Sequence, residues 1–249
     1  MLPPFTFHEW LFLALGAFCI GVSKSGFTGI GLLTVVVMAR LFPPRESTGV
    51  LLPLLIVGDI LSVIVFHQHA QWPQIWRMLP PTIVGVLVGY VFMLLIPSGA
   101  FGPLIGWIVF LMVVLQTIRK ARPDAYAGVP HTRWFAWIMG TWSGITTMLA
   151  NAAGPVMTLY FLAIKLPKYA FVGTSAWFFL IVNLFKVPLS AHLGLITASS
   201  LSLNVVLIPI VAVGIFTGKS LIKIVPQSLF EWILLIFAAA AALRLIGLF

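Results

Sequence analysis

The sequence predicts an all-α integral membrane protein built as two inverted repeats, each a broken helical segment followed by three transmembrane helices. Composition, the character of the apolar runs and their repeated order lead there. Of 249 residues 61% are hydrophobic and only 8% charged, against about 25% charged in an ordinary soluble domain. With a mean hydropathy of +1.14, the chain cannot cover itself with polar side chains, so its solvent must be lipid. Its apolar runs are long and continuous rather than alternating, and in hydrocarbon only helices or closed barrels satisfy their own backbone. The same succession of broken and unbroken apolar segments then occurs twice.

A hydrocarbon core about 30 Å thick asks for about 20 helical residues. The first segment, 7–41, is too long for one ordinary span and is interrupted by "GVSKSGFTGIG" at 21–31. Spans are expected at 46–66, 77–97 and 100–119. The polar stretch 119–133 separates an N-terminal repeat, 1–118, from a C-terminal one, 134–249. The second repeat opens with the long segment 134–165, interrupted by "GTWSGITTMLANAAGP" at 140–155, and continues with spans 168–190, 197–218 and 227–247. Pro43-Pro44, Pro80-Pro81, Pro97, Pro167 and Pro226 are read as marking span ends, because proline interrupts the helical hydrogen-bond ladder. Trp10, Trp72, Trp76, Trp134, Trp137 and Trp232 fall near ends, where indole rings favour the membrane interface. Ser25-Gly26-Phe27-Thr28 matches Ser143-Gly144-Ile145-Thr146 at an offset of 118. Gly49 matches Gly173 and Asp59 matches Asn183 at an offset of 124.

The net charge of +9 comes from 14 basic residues scattered among segment ends. They form no stripe or face for nucleic acid; their role is to set topology. With the 119–133 linker in the cytoplasm, carrying Arg119, Lys120, Arg122 and Arg133, each broken segment is expected to return to the side it entered. Arg77, Lys165, Lys168, Lys219 and Lys223 then also face the cytoplasm, while Arg40 and Arg45 lie outside. Each half makes an odd number of crossings, which inverts the halves as in many secondary transporters. The N-terminus lacks a basic region and a small-x-small cleavage site, so it is expected to be retained. Cys19, the one cysteine, reads as a small buried hydrophobe. His67 and His69 are wrongly spaced for one metal on a helix. No metal-ligand, nucleophile or phosphate-loop pattern stands out, so no metal, no cofactor and no enzymatic activity is expected.

The chemistry concentrates in the two interruptions. Broken helices at membrane depth are tolerated inside protein or along a water-filled cavity, and a half-helix N-terminus favours anions. Ser25, Thr28, Ser143, Thr146 and Thr147 can cap such ends or give hydroxyls to a ligand. Gly26, Gly29, Gly31, Gly144 and Gly154 let the backbone turn and come close, and Lys24 adds a full charge. Small residues at these places also serve tight helix packing, so both readings stand. Asn151 can bond a substrate oxygen or a freed carbonyl. Asp59 is the one carboxylate well inside a span, and intramembrane ionisable residues are functional candidates. It either carries a proton or forms a buried ion pair with Lys186, which shares a helix face with Asn183.

The stretches "SKSGFTGIGLLTVVV" and "WSGITTMLANAAGPVMTLYFL", with "STGVLLPLLIVGDILSVIVF" and "FVGTSAWFFLIVNLFKVPLS" after them, resemble the sulfite exporter TauE/SafE family, also called the toluene sulfonate uptake permease family. The resemblance covers about 8–248. It implies a multi-pass transporter of the cytoplasmic (inner) membrane, moving small anions such as sulfite or organosulfonates, driven by protons, without a cofactor. Lys24, Ser25, Gly26, Thr28, Gly29, Ser143, Gly144, Thr146, Thr147, Asn151, Gly154, Asn183 and Lys186 are the expected substrate contacts and Asp59 the proton carrier. The expected partners are a small anion, protons and the bilayer, with a homodimer as one option for the assembly. The alternatives are a membrane-embedded enzyme and a cation/proton exchanger using Asp59.

Overall fold

The computed structural model describes residues 5–27, 29–121, 132–224 and 227–248. Among them are ten α-helices: α1 (Phe7–Lys24), α2 (Ile30–Leu41), α3 (Pro44–Phe66), α4 (Trp72–Leu95), α5 (Phe101–Ala121), α6 (Arg133–Ala150), α7 (Gly154–Ala163), α8 (Lys168–His192), α9 (Ala198–Ile224) and α10 (Gln227–Ile246). Five segments are long and apolar enough to cross a membrane: Pro44–His69, Trp72–Leu95, Ser98–Ala121, Tyr169–His192 and Ala198–Leu221. The sixth expected span coincides with α10, whose 20 residues extend about 30 Å.

Each interrupted segment folds into a hairpin. α1 starts on a capping box, with Thr6 N–H donating to the Glu9 carboxylate at 2.7 Å. It ends at a turn where Gly26 takes φ 109°, a conformation that suits glycine. α2 then runs back along α1: the Thr34 hydroxyl donates to Gly16 O at 3.3 Å, and the Phe5 and Phe42 rings meet at 5.9 Å. α6 is capped by Thr132 and ends at Asn151, which is left-handed at φ 51°. α7 returns so that Phe135 stacks on Tyr160 at 5.8 Å. The outgoing arms of 18 residues are about 27 Å long; the returning arms of 12 and 10 residues reach only about 18 and 15 Å. With hairpins returning to the face they entered, α5 ends and α6 begins on the face opposite Phe7.

Four pairings hold the bundle together. α1 packs along α9, and α6 along α4. Both contacts are parallel and close at glycines: a Cβ on Gly21 would overlap the Val211 carbonyl, and one on Gly144 the Thr82 carbonyl. Small residues of this kind let membrane helices approach backbone to backbone. α5 and α10 are antiparallel, Gly106 lying against Ala242 and Ile246. α3 and α8 are also antiparallel: Gly49 meets Leu195 just past α8, and Gly173 meets Phe66 just inside the end of α3. Two apolar cores flank this last pair, one centred on α1, α2, α5, α9 and α10, the other on α4, α6, α7 and α8.

The prolines correct one expectation. Pro80 and Pro81 lie inside α4, not at its end, and Pro53, Pro188 and Pro209 lie inside α3, α8 and α9. Membrane helices tolerate such positions because neighbouring groups re-satisfy the freed carbonyls. The polar linker is confined by α5 ending at Ala121 and α6 starting at Arg133; Arg122 lies outside the described residues.

Candidate functional site

Where α3 and α8 cross, Asp59 and Asn183 touch: Asn183 Nδ2 donates to Asp59 Oδ2 at 2.7 Å. Each lies fifteen residues from the start of its helix, so the contact falls about 22 Å along both. The antiparallel pair therefore meets near the middle of the bundle. Asp59 is fully buried, and its other oxygen, Oδ1, pairs with Lys24 Nζ at 2.6 Å. Lys24 is 12% exposed at its side chain and also stands 4.8 Å from the centre of the Phe179 ring, a cation–π arrangement. The Ser62 hydroxyl donates to the Lys24 carbonyl at 2.9 Å, tying the end of α1 to α3.

Lys186 occupies the other side of Asn183. Its ammonium is within hydrogen-bond distance of Thr147 O at 2.9 Å, Thr147 Oγ1 at 3.2 Å, Asn151 Oδ1 at 2.6 Å and Asn183 Oδ1 at 3.4 Å. Those four oxygens satisfy its three donors, and it is only 2% exposed. Asn151 in turn donates Nδ2 to the Thr48 carbonyl at 2.9 Å. One continuous chain thus runs Lys24–Asp59–Asn183–Lys186–Asn151–Thr48 through the centre of the molecule. The expected direct pair of Asp59 with Lys186 is not formed. The carboxylate's partner is Lys24, and the Asn183 amide stands between the two, donating to the acid and accepting from the lysine.

Beside this chain lies a cavity of about 80 Å³. Both hairpin turns reach it: Lys24, Gly26 and Gly31 from the first, Asn151, Gly154 and Pro155 from the second. The N-terminal turns of α2 and α7 therefore open on the same space, where their dipoles favour an anion. Of the expected contacts, Lys24, Gly26, Thr147, Asn151, Gly154 and Asn183 line the cavity; Asp59 and Lys186 stand behind it, bonded to lining residues.

The others do not line it. Ser25 is fully buried and donates to Ile215 O at 3.0 Å, fastening α1 to α9. Gly29 caps α2. Ser143, Gly144 and Thr146 sit within α6: Gly144 packs on α4, and the Thr146 hydroxyl bonds back to Trp142 O at 2.8 Å. The helix runs on to Ala150, so the second interruption is 151–153 rather than all of 140–155. Ser25, Gly26 and Phe27 of the first string lie past the end of α1 whereas the second string lies within α6, and the glycines in close contact with a glycine of another helix are Gly21, against Gly214, and Gly144, against Gly85. Thr28 lies outside the described residues.

Among the lining residues that escaped the sequence reading are Ser23, Thr34, Ser62, Ser175 and Phe179. Ser62 carries a signal that could have found it. It follows Asp59 by three residues, as Lys186 follows Asn183, so both pairs share a helix face. No group of three or more His, Cys, Asp or Glu able to hold a metal occurs among the described residues.

A multi-pass helical membrane protein with a central cavity lined by a lysine is the class these features define. A family model described as Sulfite exporter TauE/SafE matches residues 13–245, nearly the whole chain, and the chain belongs to that family, whose members are membrane transporters and not enzymes. No curated protein and no solved structure matches it.

Proposed function

We propose that this transporter carries small oxyanions of the sulfite and organosulfonate class across the cytoplasmic membrane, with Lys24 as the fixed cation and Asp59 as the proton carrier. The observation that carries the reading is the meeting of Lys24 with the N-terminal turns of α2 and α7 on one small cavity. An ammonium and two helix N-termini suit an anion whose oxygens accept several hydrogen bonds. A cavity of about 80 Å³ suits a compact anion.

Coupling follows from competition for one ammonium. With Asp59 ionised, its carboxylate holds Lys24 at 2.6 Å. A proton placed on Asp59 neutralises that claim and leaves Lys24 free for the anion, so proton and anion load together. With Asp59 ionised the empty cluster carries two ammonium groups and one carboxylate, a net single positive charge that the uptake of one proton with one monoanion leaves unchanged.

The two halves are proposed to be inverted repeats. The antiparallel α3–α8 pair meeting at Asp59 and Asn183, and the matching Gly21–Gly214 and Gly144–Gly85 contacts, support this. Orientation follows from charge: Arg77, Arg119, Lys120, Arg133, Lys165 and Lys219 fall toward one face, against Arg40, Arg45 and Arg244 toward the other. The first face is the cytoplasmic one by the positive-inside rule.

The test is anion flux in liposomes holding a pH-sensitive dye, with sulfite, sulfoacetate, taurine, lactate and sulfate as candidates. Proton movement triggered by an anion and lost in Lys24→Gln supports the reading. Cation-triggered proton movement that survives Lys24→Gln would replace it with exchange through Asp59.

A further inference from the structure

We infer that the cavity is turned toward the face of the 119–133 linker, and that Asn151 is the latch closing the opposite face. This rests on the transporter reading and adds which residues gate the path. The Asp59–Asn183 contact sets α3 and α8 in register at an offset of 124. In that register Leu51 and Leu55 correspond to Ser175 and Phe179, and all four line the cavity. Beyond them the symmetry fails. On α8 the cavity continues to Val172 and Phe171, about one turn inside the linker face. Their counterparts on α3, Thr48 and Ser47, do not line it.

Asn151 bonds this covered region to the second hairpin. Its Nδ2 donates to Thr48 O at 2.9 Å, and Lys186 Nζ holds its Oδ1 at 2.6 Å. The turn itself does not require the amide. A left-handed cap is met at least as well by glycine, so what asparagine adds at 151 is the pair of side-chain bonds. At the linker face the cavity passes between Gly26 of the first hairpin and Phe171 and Val172 of α8. In the alternate state the first hairpin turn closes on Phe171 and Val172 while Asn151 releases Thr48, opening the other face.

Sidedness of cysteine labelling tests this without any substrate. The chain has one cysteine, Cys19, which is buried. On a Cys19→Ser background, Ser175→Cys and Thr48→Cys are exposed separately to a membrane-impermeant maleimide in right-side-out and inside-out vesicles. Ser175→Cys is expected to react at least about tenfold faster from the linker face, and Thr48→Cys from neither. Adding Asn151→Gly, which removes two side-chain bonds, should raise Thr48→Cys labelling from the opposite face by about tenfold. Ser175→Cys reacting equally from both faces, or faster from the opposite one, overturns the inference. So does monodisperse Asn151→Gly protein with unchanged Thr48→Cys labelling. If Asn151→Gly does not fold, the Ser175→Cys arm still decides the orientation of the cavity. Intact sidedness without anion flux would instead sink the transport reading and leave the gate standing.

Discussion

Lys24 and Lys186 are both lysines at membrane depth, yet their surroundings give them different work. Lys186 is held by four protein oxygens and has no room for a ligand. Lys24 has one carboxylate, an aromatic face and partial exposure to the cavity. Lys24→Gln should therefore abolish anion binding in calorimetry while leaving the protein folded. Asp59→Asn should keep anion binding but lose its pH dependence. In the wild-type protein the carboxylate competes with the anion, so affinity rises as pH falls through the titration of Asp59. With one proton taken up, the rise is at most about tenfold per pH unit; a fall on acidification would exclude competition for Lys24. Lys186→Met should act on stability. It strips the ammonium from the Thr147 carbonyl and both asparagine oxygens, a loss of about 2–4 kcal/mol, seen as a melting temperature lowered by several degrees in detergent.

The helices are locked by glycines where the backbone must come close, and this is where element-scale changes tell. Gly144 and Gly85 lie against each other between α6 and α4, as Gly21 and Gly214 do between α1 and α9. A valine at 144 has no space and must push α4 away. Gly144→Val is expected to cost about 3 kcal/mol or more and to abolish monodisperse protein on gel filtration. Gly99→Val is the control, because a Cβ at Gly99 meets nothing within 4 Å; a melting temperature lowered equally by both would show that packing at Gly144 is not the cause. The hairpins explain the two short arms as well. A returning helix of 10 or 12 residues cannot cross the bilayer, but it places an N-terminus at mid-depth.

At the scale of the molecule, the proposed inverted repeats keep geometry while exchanging chemistry. Ser62 donates to the Lys24 carbonyl, and Lys186 donates to the Thr147 carbonyl, both at 2.9 Å. Asp59 faces Asn183 across the crossing. The lysine sits on the hairpin in the first half and on the long helix in the second, and the acid is present only once. A single carboxylate limits coupling to one proton. Transport of a monoanion should then be electroneutral, so that a membrane potential imposed with potassium and valinomycin leaves its initial rate unchanged. A rate that follows the potential would mean that the anion moves without the Asp59 proton.

The sequence by itself determined the class, and it pointed to two interruptions and to three ionisable residues at depth. Those follow from local quantities: apolar run length, breakers, and the cost of placing Lys24, Asp59 or Lys186 in hydrocarbon. It also matched Asp59 to Asn183 by their offset. It did not decide who pairs with whom. Lys24 and Asp59 are separated by a turn and a helix, and only the hairpin brings them within 2.6 Å. Nor did it separate the glycines and hydroxyls that line the cavity from those that pack helices. Gly26 and Gly144, or Thr147 and Thr146, are the same residue types in similar strings, and the face each turns is set by where α6 and α1 stop. Depth and charge are written along the chain; partnership is a property of how distant helices cross.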